Sequence, residues 1–134
     1  MELDPQALIA RARECLERAY APYSRFNVAA AVLDEQNRLF TGVNVENISY
    51  GLSMCAERVA IYAAVAAGAR RITAIAVTSS AAELLSPCGA CRQVIAEFAA
   101  ADVPVYCDAA GKPHCWTVSE LLPNGFSASQ LGKG

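Results

Sequence analysis

The segments Cys55-Ala56-Glu57-Arg58 and Pro87-Cys88-Gly89-Ala90-Cys91 decide the fold of this chain, because they set metal-binding residues at the starts of two predicted helices. A Cys-x-x-Cys pair and one distant cysteine can hold a zinc ion and leave its fourth position open. A glutamate two residues after the first cysteine can lie beside the metal without binding it and exchange protons with water. The sequence therefore predicts a catalytic zinc site.

The two helices around these segments are predicted from hydrophobic spacing. One covers residues 55–67 and is closed by Gly68, and the other covers residues 89–101. Helix N-termini carry partial positive charge and free N–H groups, which stabilise thiolates, so two starts at one sheet edge would bring three sulfurs together. Three thiolates and Zn²⁺ leave an excess negative charge. Arg58 is the main candidate to offset it, and Arg92 is a weaker one.

The other predicted elements complete an α/β pattern. They are a helix over 5–20, strands over 26–33 and 38–43 joined by a turn at 34–37, a loop over 44–53, a strand over 71–79, a connection over 81–87, strands over 103–107 and 115–118 around a turn at 110–113, and a helical turn over 119–122. Because strands alternate with helices in the middle of the chain, we expect a layered α/β sheet within one domain spanning residues 1–134.

The composition excludes several classes of protein. Hydrophobic residues make up 54% of the 134 residues, which excludes disorder, and the net charge of −2 without a basic stripe argues against a nucleic-acid polymer as partner. No apolar run approaches the roughly 20 residues of a membrane span. The polar, acidic segment from Met1 to Pro5 does not resemble a signal peptide, so we expect a cytoplasmic protein whose six cysteines stay reduced.

Two alternatives for the cysteine cluster remain open. The first is a closed structural zinc site with Cys107, Cys115 or His114 as its fourth ligand. The chain has no second Cys-x-x-Cys pair, and a glutamate follows the first ligand, so this alternative is the weaker one. The second alternative is a disulfide, which the expected reducing compartment disfavours.

Five parts of the sequence, in order along the chain, match the motifs of a known enzyme family. They are Phe26-Asn27-Val28-Ala29-Ala30-Ala31, Asn44-Val45-Glu46-Asn47, Cys55-Ala56-Glu57-Arg58, Pro87-Cys88-Gly89-Ala90-Cys91-Arg92-Gln93, and Leu121-Leu122-Pro123 with Phe126. With these motifs the chain resembles the small homotetrameric cytidine deaminases. The resemblance implies a three-layer fold, a five-stranded mixed sheet with helices on both faces. It also implies hydrolytic deamination of cytidine and deoxycytidine to uridine and deoxyuridine, with release of ammonia, in pyrimidine salvage.

The resemblance further implies roles for individual residues. Cys55, Cys88 and Cys91 are the ligands of one zinc ion per subunit, Glu57 is the proton shuttle, and Arg58 neutralises ligand charge. Seven residues bind the nucleoside substrate: Phe26 beside the base, Asn44 and Glu46 on the ribose hydroxyls, Ala56 and Ser86 through backbone groups on the pyrimidine, and Tyr50 and Phe126 from a neighbouring subunit of a homotetramer with shared active sites.

Other functions remain as alternatives to this resemblance. Blasticidin S deaminases share the zinc motif and the approximate size, but the segment from Asn44 to Asn47 and Phe126 favour a nucleoside substrate. A deaminase that edits RNA or DNA is disfavoured because the chain lacks a basic surface for a nucleic-acid strand. A non-catalytic zinc-stabilised binding module would require a four-ligand site and would give Glu57 no role.

Overall fold

A five-stranded sheet forms the middle of the computed structural model, which describes residues 4–109 and 112–132. Its strands are β1 (Val28–Asp34), β2 (Leu39–Val43), β3 (Ile72–Ser79), β4 (Pro104–Ala109) and β5 (Lys112–Thr117). They lie in the order β2-β1-β3-β4-β5. Strands β3 and β4 run parallel, whereas the other neighbouring pairs run antiparallel, which confirms the predicted mixed sheet.

Helices cover both faces of this sheet. They are α1 (Pro5–Arg13), α2 (Ala56–Ala66), α3 (Gly89–Phe98) and the short α4 (Val118–Leu121), with 3-10 turns at Leu16–Arg18, Tyr50–Leu52 and Ala128–Leu131. Helix α1 begins at an N-cap, Asp4, whose carboxylate accepts the N–H of Ala7 at 2.7 Å. It packs against one face of the sheet, while α2 and α3 pack against the other, which confirms the three-layer fold.

Small side chains let the helices approach the central strands closely. In β1, Ala30 and Val32 face α2, whereas Ala29 and Ala31 face α1, so the strand is buried on both sides. On the neighbouring strand, Gly42 lies directly against the backbone of α2. The first turn of α2 is therefore fixed to the sheet without intervening side chains.

The first predicted helix is too long, because α1 ends at Arg13 rather than near residue 20. The chain tightens there: the N–H of Cys15 bonds to the carbonyl of Ala12, three residues back, and a 3-10 turn follows. The last helical turn contains two basic residues, Arg11 and Arg13, which are typical of a helix C-terminus. The sequence prediction followed the hydrophobic spacing instead and missed this signal.

The last strand also begins earlier than predicted. Strand β5 already includes Lys112 and Pro113, which the sequence prediction assigned to a turn; the first half of that turn, residues 110–111, lies outside the described residues. Strand β5 is an edge strand, where proline is tolerated because an N–H on the open side has no partner strand. Within residues 4–109 and 112–132, no helix has the length and apolar character needed to cross a membrane.

Candidate active site

Three cysteine sulfurs converge at the starts of α2 and α3. Cys55 is the N-cap residue of α2, Cys88 is the N-cap residue of α3, and Cys91 lies in the first turn of α3. The sulfurs of Cys55 and Cys88 are 3.8 Å apart, and all three lie within 4.8 Å of one another. Tetrahedral ligands at a zinc–sulfur distance of about 2.3 Å are separated by about 3.8 Å, so the three sulfurs fit a zinc ion.

The surroundings of the sulfurs favour the charged form of at least one of them. Hydrogen bonding from the Cys91 thiol and from Arg58 lowers the pKa of Cys55 to about 5. The same contact with Cys55, together with burial, raises the pKa of Cys91. One negative charge therefore forms easily in the cluster, and a divalent cation is needed before all three thiols ionise together.

Arg58 is the cation that contacts this cluster. Its Nη2 lies 3.4 Å from the sulfur of Cys55, and its buried Nε has no hydrogen-bond partner among the described residues. The Cys55 thiolate raises the pKa of Arg58, so the guanidinium remains charged. The side chain therefore supplies one positive charge to the sulfurs, at the distance of a weak N–H···S contact.

Glu57 lies in the first turn of α2, close to the metal ligands, and is only 4% exposed. Burial raises the pKa of its carboxyl to about 7, and the nearby Cys55 charge adds to this shift. The carboxyl does not join the sulfur cluster as a fourth ligand atom. A carboxyl with these properties can both take and return a proton near neutral pH.

A cavity of about 260 Å³ lies over the sulfurs and Glu57. Its lining residues are Ser24, Phe26, Val28, Asn44, Glu46, Ser53, Met54, Cys55, Ala56, Glu57, Leu85, Ser86 and Cys88. The cavity thus brings together most of the residues that the sequence singled out, and it has the mixed apolar and polar lining of a small-molecule site.

Asn44 and Glu46 are held in the cavity wall by backbone contacts. The side-chain oxygen of Asn44 accepts the N–H of Val28 at 2.9 Å, and its amide donates to the carbonyl of Phe26 at 2.8 Å. The carboxylate of Glu46 accepts the N–H groups of Tyr23 and Ser24 at 3.0 and 3.1 Å. These two side chains therefore have structural contacts of their own besides the faces that they turn to the cavity.

Tyr50 and Phe126 do not line this cavity. Tyr50 is 72% exposed and lines an adjoining cavity that shares Ser24, Glu46 and Ser53 with the first. Phe126 is 60% exposed, and its carbonyl accepts the side-chain amide of Gln93 at 2.8 Å beside α3. Within one chain, both aromatic rings are thus available at the surface.

The structure does not place Arg92 where the sequence suggested, beside the sulfurs to offset their negative charge. Its guanidinium donates to the carbonyls of Pro87 and Leu121 at 2.7 and 2.9 Å and to the hydroxyl of Ser86 at 3.2 Å. It therefore ties the loop that precedes Cys88 to the end of α4, and its hydrogen bonds go to oxygen atoms. No sequence signal predicts this contact, because Leu121 lies 29 residues away from Arg92.

The alternative of a closed metal site finds no support in the described part of the chain. There, the three cysteines are the only group of His, Cys, Asp or Glu side chains placed to hold a metal ion. Cys107 is buried on β4, Cys115 is exposed on β5, and the His114 ring stacks edge-on against Trp116 with centroids 4.4 Å apart. A three-sulfur site beside a cavity and a buried proton acceptor is the arrangement of a zinc hydrolase.

Comparison with known proteins specifies this class. Residues 3–107 match the family described as the cytidine and deoxycytidylate deaminase zinc-binding region. The cytidine deaminase of Halalkalibacterium halodurans is 47% identical over 130 residues, which cover 96% of this chain and 98% of that protein. That of Sporosarcina psychrophila is 45% identical over 130 residues, 96% of each chain. The crystal structure of cytidine deaminase from Burkholderia pseudomallei has a TM-score of 0.88 and 42% identity, and the match covers 92% of this chain and 100% of that one.

The chain therefore belongs to the cytidine and deoxycytidylate deaminase family, which confirms the resemblance inferred from its motifs. The family match identifies the metal of the three-sulfur cluster as zinc.

Proposed function

We propose that this chain is a zinc-dependent cytidine deaminase. It hydrolyses cytidine and deoxycytidine at C4 of the pyrimidine, where water adds and ammonia leaves, and it gives uridine and deoxyuridine. The observation that carries this proposal is a buried carboxyl, Glu57, beside three sulfurs that fit zinc, at the base of a cavity of about 260 Å³.

Three cysteines would hold the metal: Cys55, Cys88 and Cys91. When bound, zinc supplies Lewis acidity that lowers the pKa of water from 15.7 to about 7. Glu57 accepts the proton of the attacking water and delivers it to N3 of the base, and it then carries the proton of the new C4 hydroxyl to the amine, which leaves as ammonia while the C4 carbonyl forms. Its burial supports this role, because a pKa near 7 suits both steps. Arg58 partly neutralises the sulfurs.

The cavity wall supports a nucleoside as the substrate. The cavity lining includes Phe26, Asn44, Glu46, Ala56 and Ser86. In the proposed complex the amide of Asn44 and the carboxylate of Glu46 bind the ribose hydroxyls, Phe26 lies beside the base, and backbone groups of Ala56 and Ser86 contact the pyrimidine. Free cytosine has no sugar hydroxyls, so it makes no hydrogen bonds to Asn44 and Glu46 and loses the binding energy that these side chains supply. Free cytosine should therefore have a kcat/KM at least about tenfold below that of cytidine. Equal values would contradict sugar recognition by this wall.

The exposed aromatic residues support a homotetramer with shared sites. Tyr50 and Phe126 lie at the surface of one chain, and large apolar side chains accompany Tyr50: Tyr20, Val45, Ile48 and Leu52. Co-expression of the Glu57→Gln and Phe126→Ala variants tests this arrangement. If a neighbouring subunit supplies Phe126, mixed oligomers recover part of the activity that each variant lacks alone. Purified mixtures with only the summed activities of the two variants, or a fully active monomer in sedimentation, would contradict it.

The decisive experiment is incubation of the purified protein with cytidine, followed by detection of uridine and ammonia. Metal analysis of the wild type and of Cys88→Ala accompanies it. We expect one zinc ion per wild-type chain, and loss of both zinc and turnover in the variant. Zinc retention by Cys88→Ala would remove Cys88 from the ligand set, and wild-type protein with zinc but no uridine would refute the proposed activity. The reduced cysteines fit a cytoplasmic enzyme of pyrimidine salvage.

A further inference from the structure

The segment that carries Phe26 into the cavity is held mainly by side chains from elsewhere in the chain. It includes Arg25, whose φ of 59° is a left-handed conformation that residues other than glycine adopt at an energetic cost. Ser24 and Phe26 both line the cavity. A strained segment at a binding site needs contacts that keep it in place. Glu46, Asn44 and Ser80 supply them from outside the segment, and Ser24 connects the Glu46 contact to Phe26.

The hydroxyl of Ser24 joins two residues of the proposed site. It donates a hydrogen bond to Oε2 of Glu46, and it accepts the N–H of Phe26 at 3.1 Å. Ser24 is the first cause of the lowered pKa of Glu46, so the carboxylate is charged at neutral pH. One hydroxyl thus links the proposed sugar-binding residue with the backbone of the proposed base-binding residue.

The lone pairs of the Glu46 carboxylate show how this link would respond to substrate. Oε1 already accepts two N–H groups, from Tyr23 and Ser24, whereas Oε2 accepts only the Ser24 hydroxyl. A carboxylate offers about four lone-pair sites, so the remaining one is on Oε2. A sugar hydroxyl that binds Glu46 therefore shares an oxygen atom with Ser24.

We propose that Ser24 is a positioning residue, which couples sugar binding at Glu46 to the placement of Phe26 against the base. This inference rests on the proposed cytidine deaminase function. Without the hydroxyl, Oε2 loses a fixed partner and the N–H of Phe26 loses its acceptor. The nucleoside must then order both residues when it binds, which weakens binding and leaves the proton transfers at Glu57 unchanged.

Ser24→Ala tests the inference, with Ser80→Ala as its matched control. The hydroxyl of Ser80 accepts the N–H of Asn27, also at 3.1 Å, but it neither contacts Glu46 nor lines the cavity. Ser24→Ala should raise KM for cytidine about five- to tenfold, the effect of one hydrogen bond, with kcat and zinc content near wild type. Ser24→Thr keeps the hydroxyl and should restore KM, while Ser80→Ala should leave it unchanged.

A double-mutant cycle with Phe26→Leu tests the coupling itself. If part of the effect of Ser24 acts through Phe26, the fold increase in KM caused by Ser24→Ala is smaller in the Phe26→Leu background than in the wild type, and the part that acts through Glu46 remains. An undiminished increase, an equal effect of Ser80→Ala, or a wild-type KM in Ser24→Ala overturns the inference while the proposed function stands. Absence of turnover in the wild type overturns the proposed function, and this inference with it.

Discussion

The substitution Gly42→Ala would separate helix α2 from the sheet on which it rests. A Cβ atom built on Gly42 lies 2.4 Å from the backbone nitrogen of Ala60 and 2.7 Å from the backbone oxygen of Ala56. Both neighbours are backbone atoms, so no side-chain rotation can relieve the clash. The added methyl group must push α2 and β2 apart.

The size of the effect follows from these distances. Ordinary contact begins at 3.4 Å, so the 2.4 Å approach requires a displacement of 1.0 Å (3.4 − 2.4). Overpacking of this kind lowers the free energy of unfolding by about 1–3 kcal/mol. Cys55 caps α2 and Glu57 lies in its first turn, and a misplacement of about 1 Å at reacting groups can reduce activity about 100-fold. We therefore expect losses in both stability and kcat/KM.

Urea denaturation and steady-state kinetics with cytidine measure these losses, and Gly51→Ala is the control. A Cβ atom on Gly51 meets nothing within 4 Å in this chain, so that variant lacks the clash and should keep the unfolding free energy of the wild type. Because Tyr50 beside it is proposed to lie at a subunit contact, the comparison is confined to the unfolding free energy. A Gly42→Ala protein with wild-type unfolding free energy and kcat/KM would refute the direct contact between β2 and α2 and its role in positioning Glu57.

Three further substitutions have expected outcomes. Glu57→Gln should keep one zinc ion per chain by metal analysis and lower kcat at least about 1,000-fold, because an amide cannot carry the proton; near-normal turnover would exclude Glu57 from the mechanism. Arg92→Lys should raise KM several-fold with zinc retained, since an ammonium cannot span the three oxygen atoms that hold the loop before Cys88; unchanged kinetics would show that the loop keeps its place without them. Asp34→Asn should lower the unfolding free energy by about 1–2 kcal/mol at pH 7, because the amide loses the charge but keeps one acceptor oxygen and the remaining Arg38 is partly solvated. Burial acts to raise the pKa of Asp34, but hydrogen bonds, chiefly from Arg38, outweigh it, so the pKa in the folded protein is lowered. The stability that the carboxylate adds is therefore present above its pKa in the unfolded chain, and it is lost as the pH falls through its pKa in the folded protein. Urea titrations at pH 7 and pH 3 should show this difference shrinking in acid, and a constant difference would contradict it.

The chemical centre was predictable from the sequence because its geometry is largely local. Cys88 and Cys91 are three residues apart at one helix start, and Glu57 follows Cys55 by two residues at another. The α/β alternation was sufficient to predict that both starts meet at one edge of the sheet, since helices that flank neighbouring strands begin on the same side. The separations between the three sulfurs in the structure agree with that prediction.

Contacts between segments that are distant along the chain could not be predicted from the sequence. The three hydrogen bonds of Arg92 and the clamp of Glu46 on residues 23 and 24 join parts of the chain that only the folded topology brings together. Hydrophobic spacing likewise overextended the first helix, because Leu16 continues the apolar pattern beyond the helix end and still packs against the same core from a 3-10 turn. Hydrophobic periodicity indicates which side of the chain is buried. It does not indicate where α-helical hydrogen bonds are replaced by those of a 3-10 turn.

The proposed reacting groups and the proposed substrate-binding loops are stabilised in different ways. This difference predicts which kinetic constant a substitution in each part should alter. Cys55 and Glu57 lie at the start of α2, whose backbone rests on the sheet at Gly42, so their positions depend on the packing of helix against sheet. Phe26 and Glu46 lie in loops held by side-chain hydrogen bonds. Substitutions in the loops should therefore change which nucleosides bind, as KM effects, while substitutions beneath the helix starts should change kcat. This division explains why Ser24 and Gly42, neither of which touches the reacting atoms, are expected to alter different kinetic constants.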